Sequence, residues 1–226
     1  MDNTTILISF LIAPLLAYAI GSISFAIMVG KLKGIDIRKH GSGNLGSTNV
    51  TRVLGQQWGI ICFFGDVLKG LIPTLLMGLW LKHQVNAADV QLQGPWLWSW
   101  LLVAGCCVIG HVFPFYLKFK GGKGVATSLG ILLGLWPYLT FAGLATFIIW
   151  AIIWAIWRYV SLASIVAAVA FPLIFTLLIG IIDQWTLGNL WPLLVFALVI
   201  GSMVIIKHRS NISRLIAGTE NGGRKK

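Results

Sequence analysis

Six apolar runs, at about residues 5–30, 57–81, 96–117, 125–157, 160–182 and 190–206, limit what this chain can fold into. About 20 apolar residues carry a helix across a bilayer, and 226 residues cannot hide six such runs inside one water-soluble core. Charged residues are 10% and hydrophobic ones 58%, where a soluble domain carries about 25% charged residues; mean hydropathy is +0.89. The chain therefore reads as an all-α polytopic membrane helix bundle, one domain over residues 1–226. Its first run is too long, and lacks the basic flank, to be a cleaved signal peptide. Cys62, Cys106 and Cys107 all fall in apolar runs and read as buried free thiols, with neither a disulfide framework nor zinc-ligand spacing.

Topology follows from the basic residues. Fifteen of the seventeen Lys and Arg lie in the loop 31–56, the loop 118–124, at Arg158, or in the tail from Lys207 to Lys226. Such an excess reads as cytoplasmic loops and anionic headgroups rather than nucleic acid, and it places all four clusters inside. For Lys123 and Arg158 to share a side, the run 125–157 must cross twice or enter and return, turning near Gly134 and Pro137. Seven spans result, some short, with the N-terminus outside and the C-terminus cytoplasmic; a re-entrant hairpin keeps the same sidedness, and six full spans, the alternative, would split the basic clusters between the two faces. Trp80, Trp96, Trp98, Trp154, Trp157, Trp185 and Trp191 lie near the span ends, where aromatic belts form. Arg224, Lys225 and Lys226 read as a plain cationic anchor.

The polar stretch Gly41-Ser-Gly-Asn-Leu-Gly-Ser-Thr-Asn-Val-Thr-Arg52 stands out against this background. Gly41, Gly43 and Gly46 let the backbone turn and approach a ligand closely. Between and after them come only short donors, Ser42, Asn44, Ser47, Thr48 and Asn49, closed by Arg52. A loop of this kind gathers N–H groups and hydroxyls into one concavity, and with no carboxylate in it the loop suits an anion such as phosphate. Its first six residues match the dinucleotide fingerprint G-x-G-x-x-G, but the strand–helix context that gives the fingerprint meaning is missing.

A second set runs from His111 through Lys118-Phe-Lys-Gly-Gly-Lys-Gly124 to Thr127 and Ser128. Gly121, Gly122 and Gly124 free the backbone, Lys123 supplies a point charge, and Thr127 and Ser128 fall in the first turn of the next helix. Lys118 and Lys120 read equally well as lipid anchors. In the tail, His208 and Asn211 share a helical face, either as ligand groups or as part of a snorkelling end. Arg158, Ser161 and Ser164 form a smaller polar set. Asp66 and Lys69, at i, i+3 inside the second run, either pair with each other or line a polar cavity. His111 carries the same ambiguity.

What is missing narrows the chemistry. The chain has no H-x-x-x-x-D base, no G-x-S-x-G elbow and no Walker motif. Of its six acids only Asp36 and Asp66 are placed near the inner face, too few for an oxygen cage around Mg²⁺ or Ca²⁺. No cofactor and no metal are expected. An anion transporter would show an internal repeat and midplane polar groups, and neither is evident.

Four motifs in order carry a family resemblance: Gly-Ser-Gly-Asn-Leu-Gly-Ser-Thr-Asn at 41–49, His111 to Thr127 with Phe-Lys-Gly-Gly-Lys-Gly-Val-Ala-Thr, Arg-Tyr-Val-Ser-Leu-Ala-Ser at 158–164, and His-Arg-Ser-Asn-Ile-Ser-Arg-Leu at 208–215. Together they resemble the PlsY family of bacterial acyl-phosphate:glycerol-3-phosphate acyltransferases over nearly the whole chain. Ser47 stands where that family usually has Ala. The resemblance implies transfer of a fatty acyl group from acyl phosphate to the 1-hydroxyl of glycerol 3-phosphate, giving lysophosphatidic acid and phosphate in the first acylation of phospholipid synthesis. It implies a multi-pass protein of the bacterial inner membrane whose site faces the cytoplasm. The catalytic residues it implies are Ser42, Arg52, Lys123, His208 and Asn211, holding glycerol 3-phosphate. Acyl phosphate would lie over Asn44 to Asn49, with Thr127, Ser128 and Ser161 nearby; His111, Gly121, Gly122, Gly124 and Arg158 complete the substrate-binding set. The partners are the two substrates and membrane lipid, with the enzyme supplying acyl phosphate as a candidate. The proton acceptor stays open between a substrate phosphate, His111 and Asp66.

Overall fold

Hydrocarbon offers no water to pair with the backbone, so each apolar run must satisfy its own N–H and C=O groups as a helix. In the computed structural model, which describes residues 1–85 and 93–222, every regular element is helical. Asp89 of the expected outer loop and the anchor residues Arg224, Lys225 and Lys226 lie outside the described residues. Among the described residues, six helical stretches are long and apolar enough to cross a membrane: Asn3–Leu32, Gln56–Gln84, Pro95–Leu117, Thr140–Trp157, Val160–Ile181 and Leu187–Lys207. The 33-residue run divides into two helices, of which Val125–Gly134 has 10 residues. At 1.5 Å per residue that is about 15 Å, half the hydrocarbon thickness.

The chain divides into two compact units, Met1–Trp136 and Pro137–Lys226. In the first, helices α1 (Asn3–Leu7) and α2 (Ala13–Ser22) flank a π-helical turn, and α3 (Phe25–Leu32) follows a break at Ile23. Then come α4 (Ser47–Leu54), α5 (Gln56–Gln84), α6 (Pro95–Val112) and α7 (Val125–Gly134). Small residues draw these backbones together, as they do between membrane helices. Gly21 of α2 lies against the Cys107 backbone of α6, and Gly110 of α6 lies against the Tyr18 carbonyl of α2. Gly70 of α5 meets the Thr127 carbonyl of α7, and Gly130 of α7 meets Val67 of α5. The short helix α7 is thereby pressed onto the middle of α5, which sets the level of the loop that precedes it. Cys62 and Cys107 are buried free thiols as expected, whereas Cys106 is only half-buried.

The second unit holds α8 (Thr140–Trp157), α9 (Val160–Ile181), α10 (Leu187–Lys207) and α11 (Arg209–Ile216). Large apolar side chains stay outward on the spans, Leu173, Leu177 and Leu198 among them, as a lipid solvent allows. Trp98, Trp157 and Trp191 are well exposed near helix ends, as an interfacial belt requires. Trp185 departs from the expectation. It is 9% exposed, with its ring centroid 6.0 Å from Tyr138 and 6.1 Å from Phe175. The polar turn that carries it folds back onto aromatic partners, so it packs as core rather than belt.

Candidate active site

The first loop is built from its glycines outward. Gly41 (φ +61) and Gly43 (φ +68) occupy the left-handed region that favours glycine. A side chain at Gly43 would also press on the Arg38 carbonyl at 2.9 Å. Buried Asn49, in the first turn of α4, braces the loop: its Oδ1 accepts from the Ser42 N–H at 2.8 Å, and its Nδ2 donates to the His40 carbonyl at 3.1 Å. Asn49 thus acts inside the loop, while Ser42 and Thr48 are exposed and Asn44 and Ser47 half-buried. Helix α4 starts after Gly46 with no capping side chain, and its Asn49 N–H already bonds the Gly46 carbonyl at 3.0 Å, which leaves the N–H groups of Ser47 and Thr48 to a ligand or solvent. Arg52 is exposed in the last turn of α4. The nearby acid Asp36 is tied up locally by a two-pronged pair with Arg38, both contacts at 2.8 Å. That hydrogen-bonded guanidinium holds its carboxyl down at about 2, so the charge is spent within its own turn.

The second loop reverses on the end of α6. The Gly121 N–H donates to the Val112 carbonyl and the Gly122 N–H to the His111 carbonyl, both at 3.1 Å. Making that reversal without glycine, Lys118 (φ 53) and Phe119 (φ 61) both take left-handed conformations, which are costly for side-chain-bearing residues. Gly122 is buried between the His111 ring and the Leu45 carbonyl of the first loop. The two glycine-framed loops therefore meet there, with Lys123 next in the chain. Gly124 (φ 85) starts α7 without a capping side chain. Thr127 and Ser128 are buried, and their hydroxyls make no hydrogen bond among the described residues. A small cleft lies between the loops and the break in the first span, lined by Ser24, Leu45, Lys69, His111, Gly121 and Gly122.

Asp66 and Lys69 form the buried ion pair that was one of the two readings of this spacing. The Lys69 Nζ lies 2.7 Å from the Asp66 Oδ1, with both side chains almost fully enclosed. His111 Nδ1 faces the same carboxylate oxygen at 3.4 Å.

In the second unit the tail folds around a residue given no role by the sequence reading. Glu220 accepts hydrogen bonds from Ser161 Oγ (2.8 Å), Asn211 Nδ2 (2.6 Å) and Arg214 Nε (2.7 Å). The available signal was that Glu220 is the lone carboxylate in a basic tail. His208 is buried and pairs its Nδ1 with the Val204 carbonyl at 2.7 Å, so when the ring is neutral Nε2 is the acceptor nitrogen. The expected Arg158, Ser161 and Ser164 set does not form as one group. Ser161 belongs to Glu220, Ser164 bonds the Val160 carbonyl and Trp150, and Arg158 lies over the Trp154 ring at 5.2 Å. Arg158 itself ends α8 in the left-handed region (φ 61).

Burial alone would raise the Glu220 carboxyl, but the hydrogen bonds from Asn211, Ser161 and Arg214 outweigh it and hold the group below its ordinary value. The folded state then binds this proton more weakly than the unfolded state. Its contribution to stability is complete above about pH 4.3, the ordinary glutamate value, and fades as pH falls toward the depressed one. Glu220→Ala is expected to speed amide exchange in α11 by about tenfold at pH 7, the equivalent of one charge-assisted hydrogen bond. The difference from the parent should shrink below pH 4; equal exchange at pH 7 would refute the tether.

Among the described residues no three His, Cys, Asp or Glu side chains converge as a metal-binding group. The sequence family described as Glycerol-3-phosphate acyltransferase matches residues 11–218. A protein named glycerol-3-phosphate acyltransferase from Trichlorobacter lovleyi is 46% identical, over 91% of this chain and 93% of its own. One of the same name from Aquifex aeolicus is 41% identical, over 91% and 94%. In three dimensions the chain resembles the crystal structure of PlsY (YgiH), an integral membrane glycerol 3-phosphate acyltransferase, in its glycerol 3-phosphate form. The TM-score is 0.76 and the identity 38%, with 95% of each chain covered. The lysophosphatidic acid form of the same protein gives a TM-score of 0.75 at the same identity.

Proposed function

Since the chain belongs to the glycerol-3-phosphate acyltransferase family, we propose that it acylates the 1-hydroxyl of glycerol 3-phosphate, with acyl phosphate as the donor. The observation that carries this reading is the meeting of two glycine-framed, carboxylate-free loops at Leu45 and Gly122, with Lys123 adjacent. Both substrates and both products bear phosphate, which accounts for two such loops. The hydroxyl oxygen bonds to the acyl carbon, the carbon–oxygen bond to phosphate breaks, and the hydroxyl proton passes to an acceptor: a substrate phosphate, His111 or Asp66. An acyl phosphate is a mixed anhydride and already activated. Orientation and charge stabilisation therefore suffice, without a protein nucleophile.

We assign the roles residue by residue. Ser42, Arg52, Lys123, His208 and Asn211 hold glycerol 3-phosphate. Asn44 to Thr48, the uncapped start of α7 with Thr127 and Ser128, and Ser161 serve the acyl phosphate, with Asn49 bracing the first loop. Residues 1–226 act as one catalytic domain. It sits in the bacterial inner membrane with the basic loops on the cytoplasmic side, the N-terminus outside, and α7 as the half-length seventh segment. The enzyme that makes acyl phosphate is its candidate partner.

The test uses the purified chain in sealed vesicles with palmitoyl phosphate, membrane-impermeant glycerol 3-phosphate and EDTA. Equal release of phosphate and lysophosphatidic acid is expected, and only from molecules whose basic loops face the added glycerol 3-phosphate. Turnover with acyl-carrier protein or acyl-CoA but not with acyl phosphate would overturn the donor. Turnover confined to molecules of the opposite orientation would overturn the sidedness, and dependence on a metal would overturn the metal-free reading.

A further inference from the structure

Asp66, Lys69 and His111 lie directly beneath the two loops, and their geometry fits a task other than taking a proton. The Asp66 Oδ1 receives the Lys69 ammonium at 2.7 Å and faces His111 Nδ1 at 3.4 Å, while its Oδ2 receives the Cys62 thiol at 3.8 Å. Oδ1 thus faces Lys69 and His111 and Oδ2 the thiol, and the side chain is 2% exposed. Lys69 makes a second contact. Its Nζ donates to the Ile23 carbonyl at 2.6 Å, at the point where the first span leaves helical geometry (ψ 120).

That break frees backbone groups which hydrocarbon cannot satisfy. Tyr116 serves two of them, donating its hydroxyl to the Ser22 carbonyl at 2.8 Å and accepting from the Ser24 N–H at 3.2 Å, and Ser24 Oγ accepts from the Ile27 N–H at 3.4 Å. Beyond the break, α3 packs on α4 and α5 and leads into the Gly41–Arg52 loop. On the other side, the His111 carbonyl accepts from the Gly122 N–H and the His111 ring fills the space beside Gly122. One buried network thus touches the backbone that enters the first loop and the backbone that forms the second.

We propose that Asp66 and Lys69, with His111 and Tyr116, are positioning residues that hold the two phosphate loops in register through the break at Ile23 and the turn at Gly122. A buried ion pair adds little net stability because desolvation offsets the attraction. What it fixes is geometry, since an ammonium shared by a carboxylate and a carbonyl determines the distance between them. Glycerol 3-phosphate binding then depends on this network through the two loops it holds. The inference rests on the acyltransferase reading for its consequence in turnover, but not for its consequence in loop order.

The full chain in lipid nanodiscs tests it. The double variant D66N/K69M removes both charges together and so leaves neither buried alone. Amide exchange is expected to rise by about tenfold in residues 41–52 and 119–124, while α5 and α6 keep their protection. The KM for glycerol 3-phosphate is expected to rise by about tenfold, and kcat to fall by less than that. Unchanged exchange in both loops would overturn the inference whether or not the chain transfers acyl groups. A collapse of kcat with KM and exchange unchanged would overturn it in favour of proton transfer at Asp66 or His111. If the double variant loses the protection of α5 and α6, Y116F decides: removing one exposed hydroxyl should leave those helices intact and still loosen residues 41–52. No loosening there would refute the link.

Discussion

Replacing Arg52 by alanine is expected to lower kcat/KM for glycerol 3-phosphate by about a hundredfold while leaving the melting temperature of the protein unchanged within a few degrees. The guanidinium sits exposed in the last turn of α4 and makes no ion pair with a carboxylate among the described residues. Deleting an exposed charge of that kind changes stability by about half a kilocalorie or less. A loss of turnover therefore has to come from substrate binding. Charge-assisted, two-pronged contacts to a phosphate are worth about 1.5–3 kcal/mol, about ten- to a hundredfold or more in binding. Arg52→Lys keeps the charge and loses the planar fork, so it should recover part of the loss through KM and not all of it. Steady-state kinetics with glycerol 3-phosphate varied at saturating palmitoyl phosphate reads both effects. An Arg52→Ala protein within threefold of the parent would remove Arg52 from the binding set.

The contrast between Arg52 and Glu220 shows what a linear sequence carries and what it withholds. Apolar runs report helices because hydrocarbon leaves the backbone no alternative, so five of the six runs became helical stretches of span length close to their expected bounds, the first of them broken at Ile23. The run 125–157 was ambiguous for a physical reason. Its length lies between one span and two, and the outcome depends on Gly70 and Gly130 letting α7 dock on the middle of α5, a tertiary contact with no local signature. The first loop was legible because glycine spacing and the absence of carboxylate are properties of the string itself. Glu220 was not, because its importance arises only when the tail returns to place it beside Ser161 and Asn211, 59 and 9 residues away. The break at Ile23 is similar. Ser24, a capping residue for α3, is its one local signal, and the break persists because Lys69 and Tyr116, far along the chain, satisfy further groups it frees. Arg158 ends α8 and lies over Trp154 while Ser161 pairs with Glu220, contacts that no local pattern in the string announces.

Gly122→Ala is expected to cost at least about a hundredfold in kcat/KM, as a displacement of about an ångström in a group that orients substrate does. Gly122 is needed for space and not for backbone freedom, since its φ lies outside the left-handed region. A methyl group there would press on the His111 ring, with Cε1 at 2.8 Å, and on the Leu45 carbonyl, also at 2.8 Å. Neither neighbour can yield cheaply. The ring is held by Asp66 on one side, and the carbonyl belongs to the first loop, whose turn is fixed by Asn49. The methyl must therefore push the two loops apart or swing Lys123 out of line, and either movement spoils the juxtaposition that both phosphates require. Gly188→Ala is the matched control. It lies inside α10 with nothing within 4 Å of the added carbon, so alanine should be neutral or stabilise slightly through helix propensity. If Gly122→Ala binds and turns over like the parent, the loops do not need their contact at Leu45, and the site must be organised without it. If it folds, keeps acyl-phosphate binding and loses glycerol 3-phosphate, the second loop is assigned to the acceptor alone. Loss of both substrates together is the expected result, because the contact at Gly122 belongs to both loops.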